Sequence, residues 1–148
     1  MKKSDKSIKN IAIASIKRYT ILPFDFKLSR IYENEEQIEN QKVSKEIDLD
    51  EGEELICSTI INELVWSVLT SRKIITLEGV GKEEHGLEGL TDRDAGDFKG
   101  WSKQQYIKGF LQFDDNKTVP YFIETGRASM IMIYGVDTVV KLLRNQEL

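Results

Sequence analysis

The chain has 148 residues, 40% of them hydrophobic and 31% charged, with a net charge of −4 and a pI near 5.2. That length suits one domain able to bury about 70% of its unfolded surface, and the composition excludes the disordered and fibrous classes. The acidic balance argues against nucleic acid as a partner, because phosphate binding needs clustered Lys and Arg.

The start, "MKKSDKSIKNIAIASIKRYT", is lysine-rich like the head of a signal peptide. Its apolar part, "IAIASI", is six residues long and ends at Lys17-Arg18 with no small-residue cleavage pattern, so it is read as mature protein. No apolar run approaches the roughly 18–20 residues of a membrane span. Ile8, Ile11, Ala12, Ser15, Ile16 and Tyr19 fall at helical spacing, and Pro23 interrupts that helix. "FKLSRIYENEEQIENQKVSKE", from Phe26 to Glu46, sets Leu28, Ile31, Ile38 and Val43 among charges, which predicts a second helix with a thin apolar stripe. Charge is segregated here. Residues 1–30 hold eight Lys/Arg against two Asp, and residues 31–60 hold ten Asp/Glu against two Lys, balances of +6 and −8.

After Asp48 the periodicity changes. "EELICSTII", "ELVWSVLTS" and "KIITLEG" are short, rich in β-branched and aromatic residues, and separated by polar positions, as strands are. Residues 79–95 read as a long acidic loop broken by Gly79, Gly81, Gly86 and Gly89, and "GDFKG" as a short strand. "YIKGFLQF" alternates and "TVPYFIE" is its partner across a "DDNK" turn. Pro120 marks an edge or a strand start, since it cannot donate a ladder bond. "MIMIY" reads as a seventh strand. Asp137 can then cap a final helix over about 137–146, with Val136, Val139, Val140 and Leu143 on one face. The predicted fold class is α+β, about seven antiparallel strands with a C-terminal capping helix. Residues 1–47 form a helical, charged N-terminal extension and residues 48–148 the β-domain.

"LDEGEELICSTIINELVWSVLTSRKIITLEG" resembles the start of bacterial pleckstrin-homology-like (PH-like) domains, which run a "GE" before a first strand and then a hairpin of the form "LT-x-R-[KR]" followed by apolar residues. Gly52-Glu53 and Leu69-Thr70-Ser71-Arg72-Lys73-Ile74-Ile75 carry the match. The resemblance covers residues 48–146. It implies an antiparallel barrel or sandwich closed by a helix, and a family that hosts lipid binders, peptide binders and self-assembling modules. Lipid-binding members place basic residues around the first hairpin. The turn "STIINEL" has no Lys or Arg, a departure that speaks against headgroup binding.

The reactive inventory is poor. Cys57 lies in the apolar run "ELICSTII" and reads as a small buried hydrophobe. His85 and Cys57 are the sole members of their types, too few for a His/Cys metal site. "DRDAGD" from Asp92 fails the calcium-loop pattern, because loop position six is Asp97 and position twelve is Lys103. "TGRAS" lacks the glycine spacing of a phosphate-binding loop, and no G-x-S-x-G occurs. These observations predict no catalytic residues, no metal and no cofactor.

Two candidate surfaces follow. An up-and-down meander alternates its turns between two ends. One end would carry Glu83, Glu84, Glu88, Asp92, Asp94, Asp114 and Asp115. The other would carry Arg72, Lys73, Trp101, Lys103 and Arg127, an aromatic-plus-cation set suited to partner binding. The stripe of Ile8, Ile11, Ile16 and Tyr19 would serve self-association. The expected function is a cytoplasmic, non-catalytic protein-interaction or self-assembly module with a protein partner or a second copy. The alternatives are a peripheral membrane domain using the basic N-terminal helix, and a hydrolase whose site shows no motif.

Overall fold

A computed structural model describes residues 3–20, 26–34, 37–101 and 103–145. Helix α1 (Asp5–Tyr19) starts where the Ser4 hydroxyl accepts from the Ser7 N–H at 3.1 Å, satisfying one of the donors a helix start leaves open. The helix break expected at Pro23 falls outside the described residues. Strand β1 (Ser29–Ile31) follows, and α2 (Gln41–Ser44) is a single turn capped by Asn40. The second long helix expected over 26–46 is thus replaced by mostly irregular chain. Tyr32, Ile38 and Val43 are buried from it against Trp66, Val68 and Ile75, a spacing that suits a strap laid over a sheet.

Strands β2 (Leu55–Asn62), β3 (Val65–Thr70), β4 (Lys73–Glu78) and β5 (Gly81–Gly86) complete a five-stranded antiparallel meander with β1 at one edge. This sheet is covered on both faces. Trp66, Val68, Ile75 and Leu77 meet the strap, while Ile56, Cys57, Leu69 and Ile74 face the main core. Double burial explains why β2 to β4 read as near-continuous apolar runs rather than clean alternation.

A 3-10 turn at Leu87–Gly89 leads into β6 (Leu90–Asp94), which pairs with β7 (Tyr106–Phe113) and β8 (Thr118–Glu124) in a second, three-stranded antiparallel sheet. The region expected as an acidic loop therefore holds two strands. "GDFKG" is loop. In β7, Ile107, Gly109, Leu111 and Phe113 point inward and Tyr106, Lys108, Phe110 and Gln112 outward, the pattern of a sheet with one solvated face. Pro120 lies on β8, among the described residues an edge strand paired only to β7, as its missing N–H requires.

Helix α3 (Ser129–Arg144) ends the described chain. It includes "MIMIY", which is not a strand, and Asp137 sits mid-helix rather than at its cap. Ser15 and Thr138 share a hydrogen bond at 3.0 Å, and Tyr19 stacks on Tyr134, so α1 and α3 run antiparallel. Gly135 permits this closeness. A Cβ there would sit 2.8 Å from Leu69, 3.3 Å from Cys57 and 3.4 Å from Ile16. The two helices and the inner faces of both sheets enclose one core holding Ile16, Leu69, Leu111 and Val136. Residues before 48 contribute α1 to that core and β1 to the first sheet.

Eight strands in two packed sheets, rather than seven in a closed barrel, form the β-body among the described residues. The hydrogen-bonded ladder stops between β5 and β6 and between β8 and β1. At the second gap a side chain substitutes for a ladder. The Glu124 carboxylate accepts from the Lys27, Leu28 and Ser29 N–H groups at 2.8–3.0 Å. Likewise the Phe122 N–H donates to Ser67 Oγ at 2.8 Å, joining β8 to β3.

Candidate binding groove between the two long helices

The outer side of the α1–α3 pair is an open groove of about 620 Å³. Ile11 lines it, and at one end stands the Tyr19–Tyr134 stack, whose ring centroids lie 4.0 Å apart and whose planes differ by 5°. Arg18, Arg93, Lys141 and Arg144 also line it, with one carboxylate among the described residues, Asp137. Antiparallel helices explain the grouping. The last turn of α1 brings Arg18 and Tyr19 beside Tyr134, and Lys141 and Arg144 follow about two and three turns further along α3.

The electrostatics are uneven. Arg93 Nη1 lies 2.8 Å from Asp137 Oδ1, close enough for an ion pair but without the alignment of a hydrogen bond. Burial pushes the Asp137 carboxyl above the usual carboxylate range, and Arg93 and Lys141 oppose that shift. The buried Tyr121 hydroxyl has no hydrogen-bond partner among the described residues, and burial with the nearby Asp137 raises its pKa. Arg144 donates from Nε to the Glu88 carbonyl at 3.3 Å. Arg18 and Lys141 have no ion-pair partner among the described residues and are exposed.

Tyr19 also borders a second, adjoining hollow with Phe98, Lys99, Arg127 and Met130. The loop carrying Trp101 is held there, because the Gly126 N–H donates to the Phe98 carbonyl at 2.8 Å. Trp101 is 82% exposed, with the Lys99 ammonium 5.7 Å from its ring centroid. The exposed loop residue Lys103 has a left-handed backbone, φ 64°. Trp101, Lys103 and Arg127 thus lie at or beside the Tyr19 end of the groove.

Arg72 and Lys73 do not join them. Arg72 sits by the first turn of α1, donating from Nε and Nη2 to the Asp5 carboxylate at 2.9 and 2.8 Å. These bonds hold the Asp5 carboxyl below its usual range and the guanidinium above its own. Lys73 lies 3.7 Å from the buried Glu53 carboxylate. The five cationic and aromatic residues expected on one rim are therefore split between opposite ends of α1. The self-association stripe divides too. Ile8 and Ile16 are in the core, whereas Ile11 and Tyr19 line the groove. The expected acidic end is gathered in part, since the Asp114 N–H donates to the Gly89 carbonyl and His85 reaches Asp115.

Arg18, Arg93, Tyr134 and Lys141 carried no motif in the sequence. By its sequence Tyr134 reads as part of a strand, so only the fold, with Tyr134 on α3, pairs it with Tyr19. Cys57 is fully buried, and burial pushes its thiol far up, which suits packing rather than nucleophilic chemistry. No helix among the described residues is long and apolar enough to cross a membrane. Comparison with known proteins yields no match: no family model fits the chain, and neither a curated protein nor a solved structure is similar to it.

Proposed function

We propose that this protein is a non-catalytic interaction module of the PH-like type, and that the α1–α3 groove is its binding face. One observation carries the reading: Arg18 and Lys141, exposed and without ion-pair partners among the described residues, line the groove that holds the Tyr19–Tyr134 stack. Arg and Tyr are the residue types that interfaces concentrate at their energetic centres. Two antiparallel sheets with a C-terminal helix support the PH-like part of the proposal.

A lipid-bound α1 has less support, because Ile8, Ala12, Ile13 and Ile16, the side chains it would insert, are buried in the core. The test is a pull-down from the source cells with the wild-type chain and with Arg18→Glu plus Lys141→Glu as baits. A partner retained by the first and lost with the second is expected. A partner held equally by both would move the binding face elsewhere.

A further inference from the structure

We infer that the groove docks an acidic amphipathic helix from a different protein, its carboxylates on Arg18 and Lys141 and its apolar side chains on Ile11 and the Tyr19–Tyr134 stack. This rests on the interaction-module reading and names the class of partner.

Shape comes first. Two antiparallel helices seated on a sheet leave a lengthwise furrow between their outer faces, and helices pack by setting side-chain ridges into such furrows. The fifteen residues of α1 span about 22 Å, room for about four turns of a partner. An apolar stripe at i, i+3, i+4 and i+7 is the usual form of a helix that binds this way.

Charge then selects the sign. Among the described residues four cations and one carboxylate line the groove, and of the cations only Arg93 lies within ion-pair distance of Asp137, while Lys141 acts on it from further off. Arg side chains grip carboxylates with two parallel hydrogen bonds, which adds direction to attraction.

A second copy of the chain fits less well. Five carboxylates of its acidic block already have cations within the chain: Glu33 with Lys17, Glu39 with Arg30, Glu46 with Lys82, Glu53 with Lys73 and Glu54 with Lys9. The two long helices carry one acidic residue each, Asp5 on α1 and Asp137 on α3. Neither presents an acidic face, so the occupant comes from elsewhere. Asp137 has a defined place in this scheme. An incoming carboxylate competes with it for Arg93, so Asp137 restrains binding of the acidic helix.

The test is a display selection on the full chain at physiological salt. The library holds 18-residue helical peptides with a fixed leucine stripe and Glu, Lys or Gln at every other position. Glu is expected to exceed Lys at least fivefold after selection. The bias should shrink with Arg18→Gln plus Lys141→Gln and vanish with Arg18→Glu plus Lys141→Glu, each variant first shown to keep the wild-type circular dichroism and melting. Asp137→Asn should bind the best peptide severalfold more tightly. Selection without charge bias, or a bias that the variants leave unchanged, overturns the inference. So does a single-stranded oligonucleotide that displaces the peptide with equal or better affinity. If peptides fail while the pulled-down partner still depends on Arg18 and Lys141, the acidic-helix class falls and the module reading stands. If that dependence also fails, both fall.

Discussion

Arg72 and Lys73 at the β3–β4 turn and Arg18 and Lys141 on the helix groove are the same residue types in opposite situations. The turn pair is consumed by the fold. Asp5 takes Arg72 in two hydrogen bonds, and Arg72 Nη2 also donates to the Glu51 carbonyl at 3.0 Å. Lys73 sits between Glu53 and Glu84. The groove pair has no carboxylate within ion-pair distance among the described residues, and Asp137 acts on Lys141 only from further off. A cation serves recognition when the fold leaves it unspent, and its neighbours in sequence do not show this. Breaking each set should therefore have opposite signatures, stability at the turn and binding at the groove.

The largest effect is expected at Glu53. Its side chain has no exposed surface, accepts from Thr70 Oγ1 at 2.5 Å and from the Asp50 N–H at 2.9 Å, and faces Lys73. Removing one member of a buried pair leaves the other charge uncompensated, at a cost of about 3–5 kcal/mol. Glu53→Ala should lower the urea midpoint accordingly while leaving groove binding intact in whatever fraction folds. An unchanged midpoint would show that Lys73 finds water or Glu84 instead, and the contrast with the groove would lose its structural half.

Asp5 comes next. Asp5→Ala removes two charged hydrogen bonds to Arg72 and the one donated by Ser71 Oγ at 2.7 Å. Arg72 is 40% exposed, so solvent screens part of the gain, and about 1–2 kcal/mol is expected. Because the folded carboxyl titrates below its ordinary value of 3.8, its contribution is present above that pH and is lost as pH falls through the folded value. Wild type and Asp5→Ala should therefore converge in stability on acidification. Parallel curves down to pH 2 would contradict the pairing.

Arg18→Gln plus Lys141→Gln should cost less than Asp5→Ala, about 0.3–1 kcal/mol, since each removes only an exposed cation from the last turn of its helix. A loss comparable to that of Asp5→Ala would place the groove cations with the structural set.

Much of this fold was legible in the sequence, and the misreadings have physical causes. "YIKGFLQF" and "TVPYFIE" are β7 and β8 because one sheet face is wet and the other dry, which writes alternation into the chain. β5, "GKEEHG", has no such pattern: five of its six residues are exposed and only His85 is partly covered. A charged edge strand resists pairing with other chains, and the same charges make it read as loop. "MIMIY" misled for the converse reason. Ile131, Met132, Val136, Val139 and Val140 are buried at helical intervals, but Gly135 interrupts the run and the β-branched residues before it favour a strand. Gly135 is there for close packing against Leu69 and α1, a tertiary reason that local propensity does not report. The groove was illegible for a similar reason. Its residues come from α1, β6 and α3, and only the antiparallel docking of two distant helices puts Arg18 and Lys141 in one groove.

His85 tests the contrast at its weak end, where a cation is paired but near the surface. On β5 it stacks on Phe113 of β7, with centroids 3.8 Å apart, and its Nε2 lies 2.8 Å from Asp115 Oδ2 in the β7–β8 turn. The contact thus joins the two sheets where their ladders do not meet. Burial alone would depress the His85 pKa, but hydrogen bonds to the Gly86 carbonyl and to Asp115 outweigh it and the net shift is upward, against opposition from Lys117. Asp115 is shifted down, chiefly by its hydrogen bond to His85. The signs define a window. A raised histidine stabilises fully below its ordinary value of 6.5 and loses that contribution as pH rises through the folded value. A lowered aspartate stabilises above its ordinary 3.8 and loses its contribution as pH falls through the folded value. The tether should therefore be strongest between about pH 4 and 6.5, and wild type should lose stability relative to His85→Gln as pH rises toward 8. Thermal melts of both chains from pH 4 to 8 decide it: a constant difference across that range would mean that the ring stacks on Phe113 without carrying charge.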